Sequence, residues 1–250
     1  MNKNFLACWL LAPALTLTGP ASALELELGA SRENLSRGRT DWQSVYLEGE
    51  HRFGERRVVY AALRRTERFD QDDSDWLAGL YHPLDARWTL NGEIGGSPSH
   101  RVLPESTVAL NLHRQLDAGW GLGFGGRFTA YANADTRAAN FSVERYFGAY
   151  RAAYTFTTTR LEGASNAPGH RLQFSFYYGE RNHIGLTASH GEEVENVPPA
   201  GIVETDVEAL ALTGRHWLDR DWALGYELLH HEQGSLYRRQ GLRLGLRRAF

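Results

Sequence analysis

The last ten residues, Gly241-Leu242-Arg243-Leu244-Gly245-Leu246-Arg247-Arg248-Ala249-Phe250, alternate large apolar side chains with arginine and glycine. Successive side chains of a β-strand point to opposite sides, so the leucines and the terminal phenylalanine share one face. A soluble sheet would turn that apolar face into a core and keep its charges outside. A membrane barrel would do the reverse. Which face points inward therefore decides the fold.

The same period of two recurs in a repeat of about 32 residues. Short turn segments centred on residues 54, 85, 117, 148, 180 and 219 are separated by 31, 32, 31, 32 and 39 residues. Each repeat holds two strands of about 10 residues, the length that a tilted strand needs to cross a bilayer. Seven repeats predict fourteen antiparallel strands, with twelve or sixteen as alternatives. Longer connections, including residues 69–75 and 98–105, are expected at the opposite end.

Aromatic residues indicate which face points inward. Rings beside the short turns or the chain end are Phe53, Trp88, Trp120, Phe147, Tyr150, Trp217, Trp222 and Phe250, and rings beside the longer connections are Trp42, Phe69, Trp76, Tyr131 and Tyr237. Two such girdles are typical of the two headgroup boundaries around a membrane barrel. We therefore predict an all-β, up-and-down transmembrane barrel over residues 24–250 in the outer membrane, with its large apolar side chains facing lipid.

The first 23 residues predict a cleavable signal peptide. A charged start with Lys3 is followed by an apolar run and then by Ala21-Ser22-Ala23, the order that secretory signals show. The only cysteine, Cys8, lies in this segment, which excludes disulfides and thiolate metal sites from the mature chain. Acidic residues slightly outnumber basic ones, 30 to 27, so nucleic acid is not a predicted partner.

Several segments resemble the YaiO family of outer-membrane β-barrels. They are Leu24-Glu25-Leu26-Glu27-Leu28-Gly29-Ala30-Ser31, residues 41–50, Gly214-Arg215-His216-Trp217-Leu218 and Tyr226-Glu227, and the resemblance covers the mature chain. It implies an outer-membrane location, with outer-membrane lipid and lipopolysaccharide as surroundings, and little about activity. The alternation ending in Phe250, with Leu242, Leu244 and Leu246, also resembles the C-terminal signal read by the barrel-assembly machinery, which is therefore an expected partner.

Charged residues on the predicted inward face are the candidate site. The seven acids are Glu25, Glu27, Glu48, Glu50, Glu93, Glu144 and Glu227, and the eight arginines are Arg52, Arg64, Arg68, Arg127, Arg151, Arg171, Arg243 and Arg247. Such groups can orient or select solutes in a pore. They can equally form ion pairs that solvate a closed interior, and both readings remain open.

No catalytic, cofactor-binding or metal-binding residues are predicted. Serine and histidine lie close in sequence in three places, at residues 97–100, 189–190 and 230–231, but a hydrolase needs its nucleophile and base within hydrogen-bond reach. The acidic run Asp70 to Asp75 lacks the glycine and terminal glutamate of an EF-hand and predicts a solvated hairpin tip. The leading hypothesis is a passive channel or export pore for a small solute or saccharide. A closed structural or surface barrel and an outer-membrane hydrolase are the alternatives.

The one long spacing in the repeat places extra residues between Glu192 and Glu204. This segment contains Val194, Val197, Ile202 and the pair Pro198-Pro199, and it is more apolar and stiffer than a hydrated loop requires. Long loops without secondary structure are often functional. We predict that it folds over or into the outer mouth, with packing on the outside of the barrel as the alternative.

Overall fold

A computed structural model describes residues 23–54, 56–132, 134–161, 166–197 and 201–250, so the predicted signal peptide lies outside the described residues. The strands are β1 (Ala23–Leu35), β2 (Trp42–Arg52), β3 (Val58–Arg68), β4 (Gln71–Pro83), β5 (Trp88–Gly96), β6 (Ser106–Gln115), β7 (Trp120–Tyr131), β8 (Ala134–Phe147), β9 (Tyr150–Leu161), β10 (Asn166–Tyr178), β11 (Asn182–Val197), β12 (Gly201–Trp217), β13 (Trp222–Gln233) and β14 (Tyr237–Ala249). A short 3-10 turn, Asp117–Gly119, precedes β7. Among the described residues, no helix is long and apolar enough to cross a membrane.

Every strand pairs antiparallel with its sequence neighbours, and β1 pairs with β14, which closes the sheet into a barrel. The predicted fourteen-strand barrel is confirmed. At the seam Glu27 lies opposite Arg247, and the amide of Phe250 donates to the carbonyl of Leu24 at 2.9 Å. Strands spaced about 4.8 Å apart and tilted by about 40° give a barrel roughly 27 Å wide between backbones.

Alternation along each strand puts the large apolar side chains on the outside. On β10, Leu172 and Phe174 are 61% and 45% exposed, whereas Gln173 and Ser175 between them are half-buried on the inner face. The residues of the predicted assembly signal, Leu242, Leu244, Leu246 and Phe250, are also exposed on the outer face. A soluble barrel would show the opposite polarity.

Four aromatic residues predicted for the girdles, Trp42, Tyr131, Trp217 and Tyr237, lie on the inner face of the barrel instead. Trp217 shares the inner face of β12, and the guanidinium of Arg181 lies 3.2 Å from its ring centroid. Trp42 and Tyr237 are 1% and 3% exposed and form an apolar cluster with Leu35. The prediction was wrong at these positions because closeness to a turn does not fix which face a side chain occupies.

Two connections predicted as loops continue as strands. The predicted tip at residues 69–75 is only a two-residue turn, Phe69-Asp70, with both residues at positive φ (51° and 59°), as a type I′ hairpin turn requires. Likewise Glu192 to Val197 pair with Gly201 to Asp206, so this segment lengthens β11 and β12 rather than forming a loop over the mouth. Residues 198–200 lie outside the described part of the chain.

Three short turns share the pattern Leu-Asp-x-x-Trp, at residues 84–88, 116–120 and 218–222, and the first and third are built alike. The carboxylate of Asp85 accepts hydrogen bonds from the backbone amides of Arg87 and Trp88, both at 2.7 Å. The carboxylate of Asp219 does the same for Asp221 and Trp222, at 2.8 and 2.7 Å. The amides of Trp88 and Arg87 hold the pKa of Asp85 below its ordinary value. Each aspartate thus fixes the backbone from which a boundary tryptophan projects.

The polarity of the wall predicts unequal effects for arginine at two adjacent positions of β10. Leu172→Arg puts a charge in lipid and should destabilise the barrel by about 2–4 kcal/mol if it lies near the bilayer midplane. Gln173→Arg puts the same charge on the half-buried inner face and should cost little. Urea titration in lipid vesicles, read by the different gel mobility of folded and boiled protein, measures both. Equal losses would contradict the assignment of faces.

Candidate functional site

The interior of the barrel holds the candidate site. The charged residues proposed as lumen-facing lie on the inner face of the wall, namely Glu48, Glu50, Arg64, Arg68, Glu93, Arg127, Glu144, Arg151, Arg171, Glu227, Arg243 and Arg247. Sequence reasoning missed five more on the same face, Glu33, Asp73, Asp75, Arg215 and Arg239. Strand periodicity could have found them, because each continues the alternation of its strand.

Arg247 is the centre of an ion-pair cluster beside the seam. Its Nε lies 2.8 Å from Glu27 Oε2, and its Nη1 lies 2.9 Å from Glu25 Oε2 and 3.2 Å from Glu50 Oε2. The Arg247 and Glu25 side chains are 7% and 3% exposed. Arg215 reaches Glu25 at 4.0 Å from β12, two strands beyond β14. Arg181 also pairs with Glu25 and Arg52 with Glu50, so the three buried carboxylates have the additional positive charge that their burial requires.

A second set of contacts crosses the strands β3 to β8. Tyr60 donates to Glu93 Oε2 at 3.2 Å, and Arg127 Nη2 lies 2.8 Å from Glu93 Oε1. Next to them the amide of Asn140 donates to Asn111 at 3.1 Å and that of Asn111 donates to Asn91 at 3.3 Å. These contacts tie side chains from five strands into one hydrogen-bonded network.

A third cluster lies toward the end with the short turns. Arg151 Nε lies 2.6 Å from Glu144 Oε2, and His113 Nε2 lies 2.8 Å from Glu144 Oε1. The His113 side chain is 40% exposed. Glu144 therefore joins β6 and β9 across β8.

The lumen has two unlike walls. The charged wall, on β13, β14 and β1 to β5, carries most of the ion pairs described above. The hydroxyl wall, on β9 to β12, carries mainly small and uncharged polar side chains: Thr155, Thr157, Thr159, Gln173, Ser175, Thr187, Ser189 and Thr213, most of them half-buried. Its inward charges among the described residues are Arg151, Arg171, His183 when protonated, and Arg215. These short side chains reach less far into the lumen than the arginine, glutamate and tyrosine side chains of the charged wall, and the larger Tyr177 and Trp217 lie toward the end with the short turns.

The loop Ser97 to Glu105, between β5 and β6, turns toward the lumen. Asp73 Oδ2, on the inner face of β4, accepts hydrogen bonds from the amides of Val102 and Leu103 at 2.6 and 2.9 Å. Val102 and Leu103 are 6% and 2% exposed. Within the described part of the chain, this loop folds inward at the outer mouth, whereas the described residues of the predicted segment 192–204 continue as strands.

The serine and histidine pairs do not assemble into a hydrolase arrangement. Ser189 and His190 are adjacent strand residues and point to opposite faces of the wall, as do His230 and His231. In the inward loop the Ser97 hydroxyl accepts a hydrogen bond from the backbone amide of His100, so it bonds the main chain rather than the imidazole. Within the described residues, no three His, Cys, Asp or Glu side chains are grouped to hold a metal ion.

The sequence matches a known family over most of its length. The model of the YaiO membrane beta barrel domain covers residues 24–196, which is more than half of the chain. No curated protein matches the sequence.

Solved barrels of several kinds share the fold at low sequence identity. An anion-selective porin from Comamonas acidovorans has a TM-score of 0.52 at 9% identity, covering 92% of this chain and 99% of its own. The CymD monoaromatic hydrocarbon channel has a TM-score of 0.57 at 9% identity, covering 94% and 89%. A bacterial polysaccharide outer membrane secretin has a TM-score of 0.53 at 9% identity, covering 91% and 97%. These likenesses show the fold alone.

The seam cluster predicts a large difference between two adjacent arginines. Arg247→Met leaves Glu25, Glu27 and Glu50 without their central cation and should destabilise the barrel by about 3–5 kcal/mol. Arg248→Met removes only outer contacts with Trp222 and Phe250 and should cost about 0.5–1 kcal/mol. Urea unfolding of both variants measures the difference. A loss below 1 kcal/mol for Arg247→Met would show that the cluster adds no stability.

Proposed function

Because the chain belongs to the family of YaiO membrane β-barrel domains, we propose that it is a passive outer-membrane channel for small polar solutes, with saccharides as the candidate class. The outer-membrane barrel is established by the family and the fold, and conduction through it is the proposal. Solutes would pass along the hydroxyl wall.

The contrast between the two walls supports conduction. On the charged wall, acids and arginines are already bonded to one another, as Arg247 is to Glu25, Glu27 and Glu50. Paired charges present a weak net field to a passing solute. The hydroxyls of Thr155, Thr157 and Ser175 are half-buried, so water reaches them, and hydroxyl groups both donate and accept hydrogen bonds. A passing sugar can exchange its hydration bonds for bonds to such a wall.

A closed structural or surface barrel is the competing function. It would require the lumen to be blocked along the hydroxyl wall, whose threonine and serine side chains are short. Solved barrels of similar shape include a porin, a hydrocarbon channel and a polysaccharide secretin, and a channel function for this chain agrees with theirs. No contact among the described residues favours the hydrolase alternative.

Conduction along the hydroxyl wall predicts different effects of a tryptophan substitution at two neighbouring positions. Thr157 and Thr158 are adjacent on β9, with Thr157 on the inner face opposite Asn140 and Thr158 on the outer face opposite Ala139. Thr157→Trp should lower single-channel conductance in a planar bilayer because the indole fills part of the lumen. Thr158→Trp should leave conductance unchanged. A wild-type protein that folds but does not conduct would refute the proposed function.

The inward loop predicts a second effect on conductance. Asp73→Ala removes the carboxylate that binds the amides of Val102 and Leu103, so residues 97–105 should become mobile and leave the lumen wider. Larger mean conductance with slow fluctuations is expected. Asp72→Ala, on the outer face of the same strand beside Arg65, is the matched control. Identical conductance in both variants would show that the loop does not limit the pore.

A further inference from the structure

The outer rim of the lumen contains a buried group of cations that the proposed pore does not require. Arg68, at the end of β3, is 4% exposed, and Arg239, near the start of β14, is 5% exposed. Their guanidinium carbons lie 4.4 and 4.6 Å from the ring centroid of Trp42. The two guanidinium groups contact the same ring and are therefore close to each other.

The described residues do not balance these charges fully. Arg239 Nη1 lies 3.0 Å from Glu33 Oε2, and the neighbouring Arg64 forms a two-bond pair with Asp75, at 2.9 and 2.6 Å. No carboxylate among the described residues lies within ion-pair distance of Arg68. Its contact with the Trp42 ring does not neutralise the charge, and a buried guanidinium without a counterion is costly.

Several hydrogen-bond donors around Trp42 also lack an acceptor. Arg68 Nε and Nη1, Arg239 Nε, the indole Nε1 of Trp42 and the hydroxyl of Thr66 are buried and have no hydrogen-bond partner among the described residues. Trp42 and Thr66 are each 1% exposed. Buried donors are nearly always satisfied, and here the unfilled donors outnumber the unfilled acceptors, which are Glu33 Oε2 and Asp73 Oδ1. Such a group of donors around an uncompensated cation matches the chemistry of an oxyanion.

We propose that Arg68, Arg239, Trp42 and Thr66 form a binding site for the carboxylate or phosphate group of a small dissolved anion. The site lies on the inner face of β2, β3 and β14, so the ligand is a solute in the lumen rather than a lipid phosphate outside the wall. Leu35, Phe69 and Leu236 pack against the Trp42 cluster and partly shield the site from water. The shielding strengthens the charge-assisted hydrogen bonds. This inference goes beyond the proposed pore, because a closed barrel could hold the same site.

Calorimetric titration of the detergent-folded barrel with inorganic phosphate at constant ionic strength tests the site without using conductance. Binding is expected, with glucuronate as a second ligand and glucose as the neutral control that does not bind. Arg68→Met should weaken phosphate binding by about ten- to hundred-fold. Arg65→Met removes an exposed arginine from the outer face of the same strand and should leave binding unchanged.

Unfolding measurements separate a binding role from a structural one. Phosphate should raise the unfolding midpoint of the wild-type protein, because a ligand that binds only the folded state stabilises it. It should not raise the midpoint of Arg68→Met, which without phosphate should be at least as stable as wild type because an unpaired buried charge has been removed. Absence of phosphate binding by the wild-type protein would overturn the site even if Arg68→Met did not fold. Equal phosphate effects in the two proteins would overturn it as well.

Discussion

The structure depends on one constraint, which is that every backbone amide and carbonyl in hydrocarbon must have a hydrogen-bond partner. An open sheet leaves two unpaired edges, and the pairing of β1 with β14 removes both. Closure then fixes where each side chain goes, because alternate residues must face lipid and lumen. Charged residues are confined to the inner face within the membrane, and there they must find partners of opposite sign. The cluster around Arg247 follows directly, since Glu25 and Glu27 on β1 meet Arg247 on β14 across the closing seam.

Glycines on the inner face make room for two tyrosine rings. The ring of Tyr46 lies over Gly29 of the adjacent strand, and the ring of Tyr60 lies over Gly79; a Cβ at either glycine would overlap the tyrosine. Each tyrosine therefore lies flat against the wall, where its hydroxyl donates to a glutamate, Tyr46 to Glu27 at 3.0 Å and Tyr60 to Glu93 at 3.2 Å. Packing of this kind concentrates volume on the charged wall. The threonines and serines of the hydroxyl wall are too short to do the same.

Sequence patterns predicted the features that neighbouring residues determine, and they missed the contacts between residues that are far apart in the chain. The turn repeat predicted the strand number, and the period of two predicted which side charged residues such as Arg247 occupy. The partners of Arg247 could not be predicted, because Glu50 is 197 positions away and only the closed register brings them together. The Phe69-Asp70 turn was missed because it has positive φ without the usual glycine or asparagine. Trp42 was placed in the girdle because its neighbourhood in the sequence does not show that Arg68 and Arg239 surround it.

The two features described at the outer mouth, the oxyanion group and the inward loop, both lie on the charged wall. Thr66 lies opposite Asp73 in the register of β3 and β4, so the oxyanion group around Trp42 and the anchor of the inward loop occupy neighbouring positions on the charged wall. The loop is held by hydrogen bonds from the main-chain amides of Val102 and Leu103 to Asp73 and by the burial of those two side chains. In the proposed channel, a solute entering from outside would meet charged side chains at β1 to β4 and hydroxyl groups at β9 to β12. The two proposals therefore place anion binding on the charged wall and solute passage on the hydroxyl wall of one lumen.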